Sequence, residues 1–228
     1  MLIIVNKIIS KEAFTKLSAF GEVLLFETKG IVDDYLSGHV DLLLVRHDNN
    51  IIYAPNTPEY VIEKLRATKY QLVCGKNPVE KEFPKCAAYN VAASDDLLIH
   101  NPKHTDPVIL DKLSELKQIN VKQSMSRCST LILNEKAVIT SDAGTVKSCE
   151  KFGVETLFVD PRDISLPGQS YGLLGGCCGI YENVVVINGS LEKKSGGSKI
   201  REFIEARGFV TVELTTGKLM DVGSILIV

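Results

Sequence analysis

The 228-residue chain reads as an α/β protein, a single domain over residues 1–228 built from five strand–strand–helix–strand units. The arrangement predicted is a pseudo-symmetric five-bladed propeller closed by pairing of its N- and C-terminal strands. Three observations point there. Apolar runs recur at a steady period: Asp41 to Ala88 spans 47 residues, Ala88 to Ser129 spans 41 and Gly175 to Gly223 spans 48. Each helical stretch follows two strands, which excludes a plain parallel sheet whose strands alternate one-for-one with helices. Finally, the N-terminal unit lacks a first strand, whereas Ser224–Val228 is a strand with no unit of its own. Their pairing would close the ring and remove exposed sheet edges.

The elements follow in order. Leu2–Val5 is an apolar strand, Ser10 caps a helix carrying Ala13, Leu17 and Phe20, and Val23–Phe26 is a buried strand. In the first complete unit, Asp41–Val45 is a strand, His47–Asn50 a turn and Ile51–Ala54 the returning strand. Thr57 and Pro58 then open a helix with Val61, Ile62 and Leu65 on its apolar face, and Gln71–Cys74 closes the unit. The second unit runs through Ala88–Val91, Leu97–Ile99 and a helix opened by Thr105-Asp106-Pro107. The third has Thr130–Leu133, Ala137–Thr140, a helix over 144–151 and Thr156–Val159. The fourth begins at the most distinctive stretch of the chain, Gly175-Gly176-Cys177-Cys178-Gly179-Ile180, and continues through Val184–Ile187, a helix over 199–206 and Val210–Leu214.

Composition narrows the function classes. A net charge of −2 and the lack of a Lys/Arg run give no electrostatic footprint for nucleic acid. No apolar run approaches the ~18 to 20 residues of a membrane span, and Met1–Val5 is too short for a signal-peptide core. The expected compartment is the cytoplasm, with all six cysteines as free thiols. No Cys-x-x-Cys pair marks a zinc site, and no cofactor is expected.

The five units resemble the pentein, or guanidine-modifying-enzyme, fold. The strings Leu166-Pro167-Gly168, Tyr171–Gly176 and Asp221-Val222-Gly223-Ser224 are most similar to an uncharacterised bacterial family of that fold. The resemblance implies chemistry in a central channel, at the end where each first strand enters. Enzymes of the fold, among them arginine deiminase, dimethylarginine hydrolase and amidinotransferases, use a Cys in the closing strand and a His two blades earlier. Carboxylates hold the planar guanidinium there. In this chain the closing strand over 223–228 has no Cys, and Val121–Cys128 has no His. The standard Cys–His mechanism is therefore not expected. A small polar or cationic ligand at the channel mouth is expected instead.

The residues at that mouth are His39, Asp41, Cys86, Cys128, Cys177, Cys178 and Asp221. One reading is a relocated thiol enzyme, with Cys177 or Cys178 as nucleophile, His39 as base and Asp41 or Asp221 orienting it. Such a site must lower a thiol pKa from ~8.5. The other is packing, because Cys and Gly are small and Cys behaves as an apolar residue. A metal on Cys86, Cys128 and Cys177 fits by ligand type but not by spacing. A second constellation is the polar residue after each returning strand: Asn6, Asn56, Asn101, Asp142 and Asn188. These side chains would either cap turns and helices or form a ring that reads a polar ligand. A protein-binding ring, similar to the ribosome anti-association factor of the fold, is a further alternative.

Overall fold

The computed structural model describes all 228 residues. Five three-stranded sheets make up the chain. The first complete unit holds β3 (Leu44–His47), β4 (Asn50–Tyr53), α2 (Glu59–Arg66) and β5 (Gln71–Cys74). It is preceded by β1 (Leu2–Asn6), α1 (Lys11–Ser18) and β2 (Glu22–Phe26). The second holds β6 (Ala92–Ala93), β7 (Leu97–His100), α3 (Pro107–Lys112) and β8 (Lys117–Asn120). A short helix α4 (Ser126–Ser129) leads into β9 (Thr130–Asn134), β10 (Ala137–Thr140), α5 (Ala143–Glu150) and β11 (Glu155–Phe158). The last unit is β12 (Cys178–Tyr181), β13 (Val184–Ile187), α6 (Gly197–Glu205) and β14 (Val210–Glu213), after which comes β15 (Leu226–Ile227).

Within each unit the first two strands pair antiparallel, and the helix returns the third parallel to the second. The N-terminal sheet obeys the same rule only because β15 supplies its missing strand. Ile3 faces Ile227, and the backbones of Leu2 and Val228 exchange hydrogen bonds of 2.7 and 2.9 Å. Middle strands β1, β7 and β10 are buried throughout, which their Ile/Leu/Val runs require. Third strands are the outer edges. Glu22, Lys117 and Glu155 stand at equivalent register positions there, exposed, where charge discourages further pairing. The caps read from sequence act as such: Ser10 Oγ accepts from Ala13 N at 3.1 Å and Asp142 Oδ1 from Thr145 N at 2.6 Å.

Several boundaries differ from the sequence reading, the C-terminal strand among them: read over Ser224–Val228, it covers only Leu226–Ile227. The strand read over Asp41–Val45 starts only at Leu44, since Val40–Leu42 is a buried 3₁₀ turn. The strand read over Ala88–Val91 is displaced to Ala92–Ala93, behind another 3₁₀ turn at Lys85–Ala87. Buried apolar runs look alike in either conformation. Helix α2 begins at Glu59 with Pro58 at the cap, because Thr57 Oγ1 donates to Ala54 O instead of capping.

The first strands β3, β6, β9, β12 and β15 all line one cavity of about 440 Å³. Exposed Asp48, Asp95 and Glu182, from three hairpin turns, form its rim. Buried Asp41 and Ser224 line its inner end.

Candidate functional site

Asp41 and Ser224 line the inner end of the cavity, and behind them buried residues from segments far apart in sequence come together. The 3₁₀ turn before β3 brings His39 and Asp41, which are 1% and 4% exposed. The short helix α4 brings Cys128, and the link into β15 brings Asp221 and Ser224, all buried. Cys128 Sγ donates to Asp41 Oδ2 at 3.1 Å, and Ser224 Oγ donates to the same oxygen. Buried Asn90 holds Cys128 from behind. Its Oδ1 accepts from Cys128 N at 3.1 Å and from Arg127 N at 2.9 Å, while its Nδ2 donates to the thiol sulfur at 3.1 Å.

Backbone conformation delivers Ser224 to Asp41. Gly223 and Ser224 both take positive φ, +70° and +72°. For serine this costs energy that the surroundings must offset, and such strain gathers at functional sites. Gly223 also has no room for a side chain, because a Cβ would stand 2.2 Å from His39 Cα. Gly176 similarly admits Asp221, whose Oδ1 would lie 1.9 Å from a Cβ there.

Burial dominates the electrostatics, and Arg127, which lines the same cavity, only partly offsets it. Asp221 accepts from Gly223 N and Leu173 N at 2.9 and 2.8 Å, yet burial pushes its pKa up to about 6. His39 Nε2 lies 4.0 Å from Asp221 Oδ1, and neither ring nitrogen has a hydrogen-bond partner. Burial holds the His39 pKa below its ordinary value, against the pull of Asp41. Asp41 Oδ1 is likewise buried and unpartnered. Arg127, the nearest guanidinium, donates instead to the carbonyls of Gly175 and Cys178, both at 2.9 Å.

The thiols divide by surroundings. Cys177 and Cys178 are fully buried among Leu174, Val185, Ile187 and other apolar side chains. Burial pushes the Cys177 thiol well up and Cys178 up to about 12, the latter despite Arg127. Cys177 Sγ donates to Leu173 O at 3.5 Å, and no hydrogen bond joins either thiol to His39. Cys128 is the thiol that meets His39 and Asp41, with ligand atoms of the three all within 4.8 Å of one another. Sequence reasoning placed all three at the mouth but did not group them. Cys128 and Asp41 are 87 residues apart, and no local spacing announces the contact.

The Asn/Asp residues after the returning strands turn inward to the backbone. Asn56 Nδ2 donates to Val79 O at 2.8 Å and its Oδ1 accepts from Val79 N at 3.0 Å. Asn101 Nδ2 donates to Lys122 O at 2.9 Å, and Asn188 Nδ2 to Met220 O at 3.1 Å. Each thus ties the end of a middle strand to the segment leaving the same unit. Asp142 caps α5, and Asn6 Oδ1 accepts from Ile8 N at 3.2 Å.

The five-sheet architecture matches solved structures over nearly the whole chain. C. jejuni agmatine deiminase superposes with a TM-score of 0.58 at 11% identity, covering 96% of this chain and 90% of its own. A dimethylarginine dimethylaminohydrolase (DDAH) from Pseudomonas aeruginosa, complexed with citrulline, gives 0.54 at 12% identity, covering 94% and 92%. An amidinotransferase of saxitoxin biosynthesis from Microseira wollei gives 0.50 at 10%, covering 93% and 87%. At such identities the likeness establishes the fold, which is that of the penteins. No curated protein matches the sequence. A family model matches residues 4–226, and the chain belongs to that family, a family of unknown function (DUF6873).

Proposed function

We propose that this protein binds a small cationic, guanidino-like ligand in the cavity enclosed by its five sheets, and does so without a cysteine nucleophile. The sheets act as the blades of a propeller that β15 closes against β1. The observation that carries the reading is Asp41. It is a buried carboxylate at the inner end of the cavity with one oxygen unpartnered, and no Lys or Arg pairs with it. A buried carboxylate oxygen without a partner is costly, and a planar cation with several donors supplies one well. Asp48, Asp95 and Glu182 at the rim add negative charge, which Arg46 and Lys69 of the same lining partly offset. Agmatine deiminase and an amidinotransferase among the structural neighbours lend the guanidino class further support.

A nucleophilic thiol needs a lowered pKa, and Cys128, Cys177 and Cys178 are all raised. Binding is therefore favoured over thiol-dependent hydrolysis. The test is calorimetric titration of the EDTA-treated protein with agmatine, arginine and guanidinium. At least one should bind, and Asp41→Asn should weaken it at least 10-fold. Absence of heat for all three, or an undiminished affinity in the variant, overturns the reading.

A further inference from the structure

We propose that His39, Asp41 and Cys128 form a binding site for a transition-metal ion of the zinc type, with a remaining coordination position directed at the cavity. This inference rests on the reading that Asp41 receives positive charge, and it names a second occupant, held on the Cys128 side of the carboxylate.

Geometry is the first support. One ligand atom from each residue lies within 4.8 Å of the others, and Cys128 Sγ is 3.1 Å from Asp41 Oδ2. Bonds of ~2.3 Å to sulfur and ~2.0 Å to oxygen at a tetrahedral angle imply a separation of about 3.5 Å. Small side-chain adjustments therefore suffice. All three residues are at least nine-tenths buried, and both ring nitrogens of His39 lack any partner. A buried imidazole with two idle nitrogens is costly, and a metal bond on one of them relieves it.

The supporting groups are also those a metal site needs. Asp221 Oδ1 lies 4.0 Å from His39 Nε2, beyond hydrogen-bond reach but close enough that a small turn of the ring would form the carboxylate–imidazole bond that orients metal-binding histidines. Asn90 donates to the Cys128 sulfur, the arrangement that steadies a thiolate. Without a cation, the buried Cys128 thiol keeps its proton in the hydrogen bond to Asp41 Oδ2. A divalent ion reverses this: the thiol proton leaves to solvent and the sulfur–metal bond forms. Donor chemistry selects the ion. Imidazole with thiolate suits zinc or cobalt and disfavours calcium and magnesium, which take oxygen ligands. Three protein ligands leave one position open, and Asp41 and Ser224 border the cavity on that side.

The test adds Co²⁺ to the EDTA-treated full chain with no organic ligand present and follows absorption. One ion per chain should bind, with a sulfur-to-cobalt charge-transfer band in the near ultraviolet and tetrahedral d–d bands in the visible. Cys128→Ser should abolish the charge-transfer band, His39→Gln should weaken binding at least 10-fold, and Cys177→Ser should leave both unchanged. Asp221→Asn should weaken binding by about 10- to 100-fold while keeping the band. Should Cys128→Ser fail to fold, X-ray absorption of the zinc-loaded wild type answers instead, through a single sulfur neighbour at ~2.3 Å. No stoichiometric binding, no sulfur in the coordination sphere, or a band lost in Cys177→Ser overturns the site. Because agmatine is titrated without metal and cobalt without agmatine, either proposal can fail while the other stands.

Discussion

The Cys128 thiol donates a 3.1 Å hydrogen bond to Asp41, joining the helix before the third complete unit to the turn before the first. Ser224 meets the same oxygen from the closing segment, and His39 stands beside it with no partner. Donors and ligands thus converge on one carboxylate from three separate parts of the chain, and the predictions below probe that convergence and the scaffold around it.

The pH dependence of stability should carry two opposing contributions, measured by urea unfolding in EDTA. Asp221 has a folded pKa of about 6 against ~3.9 unfolded, so its contribution is present below pH ~4 and lost as pH rises through 6. Wild type should therefore gain on Asp221→Asn as pH falls from ~6 to ~4, by up to about 3 kcal/mol at ~1.4 kcal/mol per pKa unit. His39 has a lowered folded pKa, so its contribution is present above ~6.5 and lost on acidification. His39→Gln should gain on wild type as pH falls below 6.5. Parallel curves for all three proteins would contradict both assignments.

Native alkylation should separate the cysteines. Exposed Cys74 should label readily, whereas Cys177 and Cys178, with no accessible surface, should label only at the rate of unfolding. Peptide mass spectrometry across a urea series reads this directly. Rapid labelling of either buried thiol in native protein would revive the relocated-nucleophile mechanism.

Gly223→Ala should be strongly destabilising. The new methyl meets His39 at 2.2 Å and the backbone there holds φ at +70°. Strain and overpacking together should cost about 3 kcal/mol or more, seen as a lower urea midpoint. A midpoint within 1 kcal/mol of wild type, on the order of an ordinary surface change, would mean that the segment relaxes freely.

Asn56→Ala should lower stability by about 1–3 kcal/mol, since both Val79 backbone groups lose their partner, and should leave agmatine affinity unchanged. The reverse outcome, intact stability with lost affinity, would make the Asn/Asp positions a ligand-reading ring.

Much of the architecture was legible because it repeats. The apolar middle strands and the caps at Ser10 and Asp142 are local signals, and each unit confirms its neighbours. The first strands were harder to read. Val40–Leu42 and Lys85–Ala87 are buried turns, and burial selects the same apolar residues that a strand would. The site was legible as a set of residues without its grouping. His39, Asp41, Cys128 and Asp221 all stood out by type, but the chemistry depends on which of them touch. The paired Cys177-Cys178 drew notice through its glycine-rich setting, and those glycines serve close packing against Asp221 and the Arg127 backbone. Ser224 stood out only as part of the string Asp221–Ser224 and not as a site residue, because nothing in a sequence marks a serine held at positive φ.

The hydrogen bond from Ser224 to Asp41 spans 183 residues, and the strand pairing of Ile3 with Ile227 spans almost the whole chain. Contacts of such sequence separation form only after the intervening units have found their places, because closing so long a loop costs entropy before any contact offsets it. Synthesis from the N-terminus leaves β1 without its cavity-side partner until Leu226 and Ile227 emerge. The polar cluster at the cavity floor is therefore a late event in folding, and a chain stalled short of closure lacks its site together with the core contacts of Val222, Ile225 and Ile227.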